Sequence, residues 1–190
     1  MTLAVVLVVA YLMGSIPTSY IVVYRLTGRD IRSMGSGNPG TMNVLDTLGW
    51  RAAGLVAVGD ICKGAGAVLL AYEAGLGEVA AVLVALAAVI GHDYSIFLRF
   101  DGGNGTAAVI GGLLGLMPLE TLGVATLGIG AGYLLGSRRL GGLVGIALIP
   151  AVGYATHVSQ ITLWGSVMLM AFTVLKIVRF EGFSRARPGR

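Results

Sequence analysis

Three groups of residues carry the types and spacing that chemistry needs. The segment Gly35-Ser36-Gly37-Asn38-Pro39-Gly40-Thr41-Met42-Asn43 combines three glycines, two amides and two hydroxyls. A second segment, Asp101-Gly102-Gly103-Asn104-Gly105, repeats the theme sixty-odd residues later. Glycine admits positive φ and lets backbone N–H groups close around an oxyanion such as phosphate. The third group is ionisable. Asp60 and Lys63 stand at i and i+3, on one face of any helix that contains them. His92, within Gly91-His92-Asp93, is suited to accept or donate a proton near neutral pH. Together these residues suit a site that holds a small, oxygen-rich anion and moves a proton beside it.

The elements that must position them are membrane helices. The chain has 190 residues, 56% hydrophobic and only 12% charged, against about 25% charged in an ordinary soluble domain. Its mean hydropathy is +0.87. Apolar runs cover Leu3–Tyr24, Ala52–Tyr72, Val79–Phe97, Thr106–Met117, Thr121–Leu135, Leu140–Tyr154 and Ile161–Val178. Several approach the roughly 20 residues needed to cross a bilayer. The fourth and sixth are short, and the fourth reads as a half-helix, a tilted span or a re-entrant segment. The expected fold is an all-α integral membrane protein of about seven transmembrane helices, one polytopic domain over residues 1–190. The first run lacks a basic leader and contains Ser15, Thr18 and Ser19, so it reads as a retained helix. Cys62, the single cysteine, excludes an internal disulfide and a cysteine-based metal site.

Alternating the sides of these runs separates the charges. Arg25, Arg29, Arg32, Arg51, Arg99, Arg138, Arg139, Lys176, Arg179, Arg185, Arg187 and Arg190 fall on one side. Glu73, Glu78, Glu120 and His157 fall on the other, and Lys63 lies within a run. The positive-inside rule makes the basic side cytoplasmic, with the N-terminus outside, the C-terminus inside and 179–190 a basic tail. Both glycine loops then open to the cytoplasm, where phosphorylated metabolites are found.

Each group has a plainer reading. Asp60 and Lys63 are a structural pair if they only neutralise each other within the membrane. His92 is then a helix-end residue bonded to a carbonyl. Gly14-Ser15-Ile16-Pro17-Thr18-Ser19 reads as a kink with small residues for close packing, although Ser15 and Ser19 could face a polar cavity. Phe97 and Phe100 read as interfacial anchors. Gly111-Gly112 and Gly141-Gly142 read as helix contacts. The first glycine loop carries side chains that packing does not require, and the second opens a helix, where N-termini attract anions.

These motifs resemble the bacterial acyl-phosphate:glycerol-3-phosphate acyltransferase family (PlsY). The family's G-S-G-N-x-G-x-x-N loop is matched by Gly35-Ser36-Gly37-Asn38, Gly40 and Asn43, and its G-S-I-P by Gly14-Ser15-Ile16-Pro17. Its D-x-x-K-G is matched by Asp60, Lys63 and Gly64. Its G-H and F-x-x-F-x-G-G-K-G are matched by Gly91-His92, Phe97, Phe100, Gly102-Gly103 and Gly105. The chain departs from the family at Asn104 (lysine), Asp46 (arginine) and Gly141 (serine), and Lys176–Arg190 lack the family's histidine-and-asparagine pair.

The resemblance implies a membrane acyltransferase that moves a fatty acyl group from acyl phosphate to the 1-hydroxyl of glycerol 3-phosphate. The product would be lysophosphatidic acid for phospholipid synthesis, made at the bacterial inner (plasma) membrane by a site facing the cytoplasm. His92, Lys63 and Asn38 are the expected catalytic residues, with Lys63 oriented by Asp60. Ser36, Gly37, Gly40, Asn43, Gly102, Gly103, Asn104 and Gly105 are expected to bind phosphate. Arg138, Arg139 or the basic tail would be the substitutes for the missing cations. No cofactor, metal, nucleic acid or obligate protein partner is expected; the partners are the two substrates and membrane lipids. The departures leave two alternatives: an impaired paralogue that binds a lipid or phosphate ligand or regulates a homologue, and an acyltransferase with a less anionic acceptor.

Overall fold

The structure, a computed structural model, describes residues 2–185, apart from the side chains at 138–140, 143, 146 and 180–185. Every apolar run forms helix. The elements are α1 (Leu3–Ser15), α2 (Thr18–Thr27), α3 (Thr41–Leu48), α4 (Trp50–Glu73), α5 (Glu78–Asp93), α6 (Thr106–Leu116), α7 (Pro118–Leu134), α8 (Arg138–Ala155) and α9 (Gln160–Arg185). Among the described residues, four stretches are long and apolar enough to cross a bilayer: Leu3–Thr27, Trp50–Glu73, Glu78–Leu98 and Gln160–Arg179. α6 has 11 residues, roughly 16 Å of helix, so the fourth run is short as its sequence predicts.

The first apolar run is broken in the middle. Proline lacks an N–H and disfavours helical geometry in the residue before it. Ile16 accordingly leaves the helix with φ −55° and ψ 116°, and α2 begins one residue after Pro17. A second departure from expectation is α3. Thr41-Met42-Asn43, read as the end of a polar loop, are the first turn of an eight-residue helix.

Small residues decide which helices touch. A Cβ added at Gly91 would overlap the Tyr11 carbonyl oxygen, and one at Gly14 the Ala88 carbonyl oxygen. These two glycines bring α1 and α5 into backbone contact. Gly64 and Gly111 do the same for α4 and α6, against the carbonyls of Ala108 and Ile61. Gly141 sits against the Gly128 carbonyl between α7 and α8, so no side chain fits there. Buried alanine and valine from α1, α4, α5 and α6 fill the core around these seams.

The α1–α5 seam sets a test. Gly91→Val should cost about 3 kcal/mol by overpacking, seen as a lower thermal midpoint in detergent. Gly123→Ala, where an added Cβ meets nothing within 4 Å, is the control. Equal midpoints for the two variants would contradict this account of the seam.

Candidate active site

The first glycine loop is held by its own asparagine. The buried Asn43 amide donates from Nδ2 to the carbonyls of Asn38 (2.9 Å) and Met34 (3.0 Å), with a longer contact to Ile31 (3.4 Å). Its Oδ1 accepts the Ser36 N–H at 3.0 Å. Gly35, at φ +53°, has no room for a Cβ against that Oδ1. Asn43 is therefore occupied in shaping the loop. The Gly37 N–H is likewise committed, to Met34 O at 2.9 Å. Ser19 Oγ, from α2, donates to Pro39 O at 2.7 Å and fixes the loop to the broken helix. What remains unengaged is Asn38 Oδ1, Thr41 Oγ1 and the first turn of α3, whose N–H groups have no acceptor within the helix.

The second loop folds back on the end of α5. The N–H groups of Gly102 and Gly103 donate to the carbonyls of Asp93 (3.2 Å) and His92 (3.1 Å). A Cβ at Gly103 would collide with His92 Nε2. Gly105, at φ +69°, precedes α6 and lies against Asp93 Oδ1. Thus Gly102 and Gly103 also have their amides in use, and the unpaired groups here are Asn104 Oδ1 and the first turn of α6. Arg99 and Phe100 both adopt positive φ, 55° and 64°; the Phe100 N–H is anchored on Ser95 O at 2.7 Å. Phe97 and Phe100 are about 60% exposed.

Between the loops lies a buried ionic cluster. Lys63 Nζ is 2.9 Å from Asp60 Oδ1 and donates to Ile16 O, also at 2.9 Å. The break before Pro17 supplies that carbonyl. His92 Nδ1 lies 3.6 Å from the same Asp60 oxygen. The three side chains are 2–7% exposed. A small cavity beside them is lined by Ser15, Pro39, Lys63, His92, Ser95 and Gly103, so both loops and both halves of the broken helix meet there. Ser15 Oγ is buried there without a hydrogen-bond partner.

Arg32 ties the two loops from outside. Its guanidinium is bidentate on Asp30, donates to Leu98 O at 3.2 Å, and stands 3.8 Å from Asp101. The hydrogen bonds from Arg32 hold the Asp30 carboxyl below the usual carboxylate range.

The fold brings together Asp60, Lys63, His92, Gly103 and Pro39, with Asn38, Thr41 and Asn104 on the loops around them. Asp46 is exposed on α3. The side chains of Arg138 and Arg139, and residues 186–190 of the basic tail, lie outside the described residues. Sequence reasoning passed over three groups. Ser95 donates to Ser15 O; Asp93 is completely buried; Lys176 Nζ donates to Asp93 O at 3.1 Å. None has a spacing that marks it, because each is recruited by contact between helices distant in sequence.

The His92–Gly103 contact predicts a second effect. Gly103→Ala pushes the imidazole aside, so turnover should fall at least tenfold while the thermal midpoint stays near wild type. Wild-type kcat in that variant would remove His92 Nε2 from the site.

Comparison with known proteins gives one answer. The model of the family described as glycerol-3-phosphate acyltransferase matches residues 4–185. A glycerol-3-phosphate acyltransferase of Thermus thermophilus is 41% identical over 196 aligned residues, covering all of this chain and 94% of the relative. One of Geobacter sulfurreducens is 37% identical, over 95% of this chain and 92% of its own. The crystal structure of PlsY (YgiH), an integral membrane glycerol 3-phosphate acyltransferase, in its glycerol 3-phosphate form superposes with a TM-score of 0.84. It is 25% identical, and the match covers 99% of this chain and 94% of that one. Its lysophosphatidic acid form gives 0.81 at the same identity and coverage.

Proposed function

The chain belongs to the glycerol-3-phosphate acyltransferase family, and from that premise we propose how its own residues perform the transfer. It is an integral membrane acyltransferase that places a fatty acyl group on the 1-hydroxyl of glycerol 3-phosphate, forming lysophosphatidic acid. The donor in our reading is acyl phosphate, and the site faces the cytoplasm of the inner membrane. The alternation of the apolar runs, which puts the basic residues on the same side as both glycine loops, supports that orientation.

One observation carries the assignment of roles: Asp60, Lys63 and His92 meet, buried, at the point where both glycine loops converge. The acceptor hydroxyl attacks the acyl carbonyl, the bond from carbonyl carbon to phosphate oxygen breaks, and inorganic phosphate leaves. His92 takes the hydroxyl proton through Nε2, and Asp60 orients the ring from Nδ1. This is the division of labour of a base and its orienting acid. Lys63 sets the positive potential beneath the reacting carbonyl, its own position fixed by Asp60 and Ile16 O. Asn38, Thr41 and Asn104 contribute neutral hydrogen bonds, and the first turns of α3 and α6 present N–H groups and dipole to the phosphates. Ser36, Gly37, Gly40 and Asn43, with Gly102, Gly103 and Gly105, shape these two walls. Because acyl phosphate is already activated, positioning and charge stabilisation are most of what the protein must supply.

The test is phosphate release by purified protein in detergent, given acyl phosphate with and without glycerol 3-phosphate. Release that depends on glycerol 3-phosphate supports the reading. Release only with an uncharged polyol moves the acceptor to a less anionic class, which the neutral Asn104 would suit. No release from folded protein with any acceptor refutes acyl transfer from this donor.

A further inference from the structure

We propose that Lys176 is a phosphate-binding residue of this site, brought to the second glycine loop from the last helix. The inference rests on the reading above, in that it requires phosphorylated substrates.

The geometry begins at one oxygen. Asp93 O accepts both the Lys176 ammonium, at 3.1 Å, and the Gly102 N–H, at 3.2 Å. The ammonium therefore sits at the base of the loop that runs from Gly102 into α6. It also lies 4.0 Å from the centroid of the Tyr94 ring, a cation–π contact that fixes its direction. Tyr94 is held in turn, since its carbonyl accepts the Tyr11 hydroxyl at 2.9 Å. A half-buried ammonium with three donors has one on the carbonyl and one face on the ring, which leaves capacity for a ligand.

Charge pairing separates Lys176 from Lys63 and Arg32. Lys63 is neutralised by Asp60, and Arg32 is bidentate on Asp30. Among the described residues no carboxylate lies within 4 Å of Lys176 Nζ. Asp93 offers it a carbonyl, while its wholly buried carboxylate points toward Gly105, at the start of α6. A phosphate monoester brings nearly two negative charges at neutral pH, and Lys176 is a cation at the base of the second loop with no carboxylate in ion-pair range.

The plainer role for Lys176 is a tether between α9 and α5, and kinetics distinguish the two. In purified full-length protein, Lys176→Met should raise the inhibition constant of inorganic phosphate and the KM of one phosphorylated substrate by roughly 10–100-fold, the range of a charge-assisted hydrogen bond. Lys176→Arg should restore most of both. A rise confined to glycerol 3-phosphate assigns the residue to the acceptor, and one confined to acyl phosphate assigns it to the donor. Unchanged phosphate inhibition and unchanged KM values, with only stability lowered, would overturn the proposal in favour of a tether. If Lys176→Met does not fold, amine-directed labelling of wild-type Lys176 decides: protection by inorganic phosphate supports binding, and equal labelling overturns it. Absence of acyl transfer in the wild type would instead refute the functional reading, while the labelling result still decides the role of Lys176.

Discussion

His92→Ala should lower kcat by about 10²–10⁴-fold, the usual contribution of a positioned general base. The expectation follows from three contacts. His92 Nε2 packs against Gly103 at the cavity wall, and Nδ1 lies 3.6 Å from an Asp60 oxygen. The bond that folds the second loop onto α5 uses the His92 carbonyl, not its side chain. Truncation to alanine therefore leaves the loop attached and Asp60 still paired with Lys63. The loss should fall on kcat, with KM for glycerol 3-phosphate changed only a few-fold and the thermal midpoint close to wild type. Steady-state rates on folded, detergent-purified variant decide the matter. Activity within tenfold of wild type would exclude His92 as the base.

Asp60→Asn should be the most destabilising single change in the site. Breaking one side of a buried ion pair costs about 3–5 kcal/mol, because the remaining charge has no countercharge. Lys63 would keep only Ile16 O as its partner. Replacing both members removes that penalty, so Asp60→Asn combined with Lys63→Met should recover most of the lost stability. Activity should not return, since the oriented base and the positive potential are both gone. Thermal unfolding of the two variants, read beside their rates, separates folding from chemistry. If Asp60→Asn alone unfolds within about 1 kcal/mol of wild type, Lys63 is stabilised by something other than Asp60. Recovery of activity in the double variant would instead show the pair to be purely structural.

Much of this arrangement is legible in the residues themselves. Apolar length marks the helices, Pro17 marks the break, and the i, i+3 spacing of Asp60 and Lys63 marks a pair on one face. The glycine motifs locate the loops. Hydrophobic periodicity does not say which helices are neighbours, however, so His92 beside Asp60 and Lys176 beneath Gly102 come only from the fold. Lys176 looks like an ordinary basic residue at a helix end, as the positive-inside rule expects. Asn43 shows how a side chain's structural work is hidden in the sequence. An asparagine in a glycine loop reads as a ligand contact, yet its amide replaces main-chain hydrogen bonds the loop cannot make for itself. α3 escapes notice because eight residues beginning within a polar loop carry too little periodic signal.

The α1–α5 seam has a consequence for how the enzyme is made. The Ser95 hydroxyl and the Ser15 carbonyl it reaches are 80 residues apart in the chain. Contacts of such sequence separation form late, because closing a long loop costs entropy before any contact repays it. A nascent chain that has inserted only α1–α4 already holds Asp60, Lys63 and the Ile16 carbonyl, so the acid and the lysine can enter the bilayer already paired. It has no histidine, no second loop and no cavity. Catalytic competence therefore waits for α5, the second loop and the helices that follow it, and a chain stalled before that point is inert toward the lipids around it.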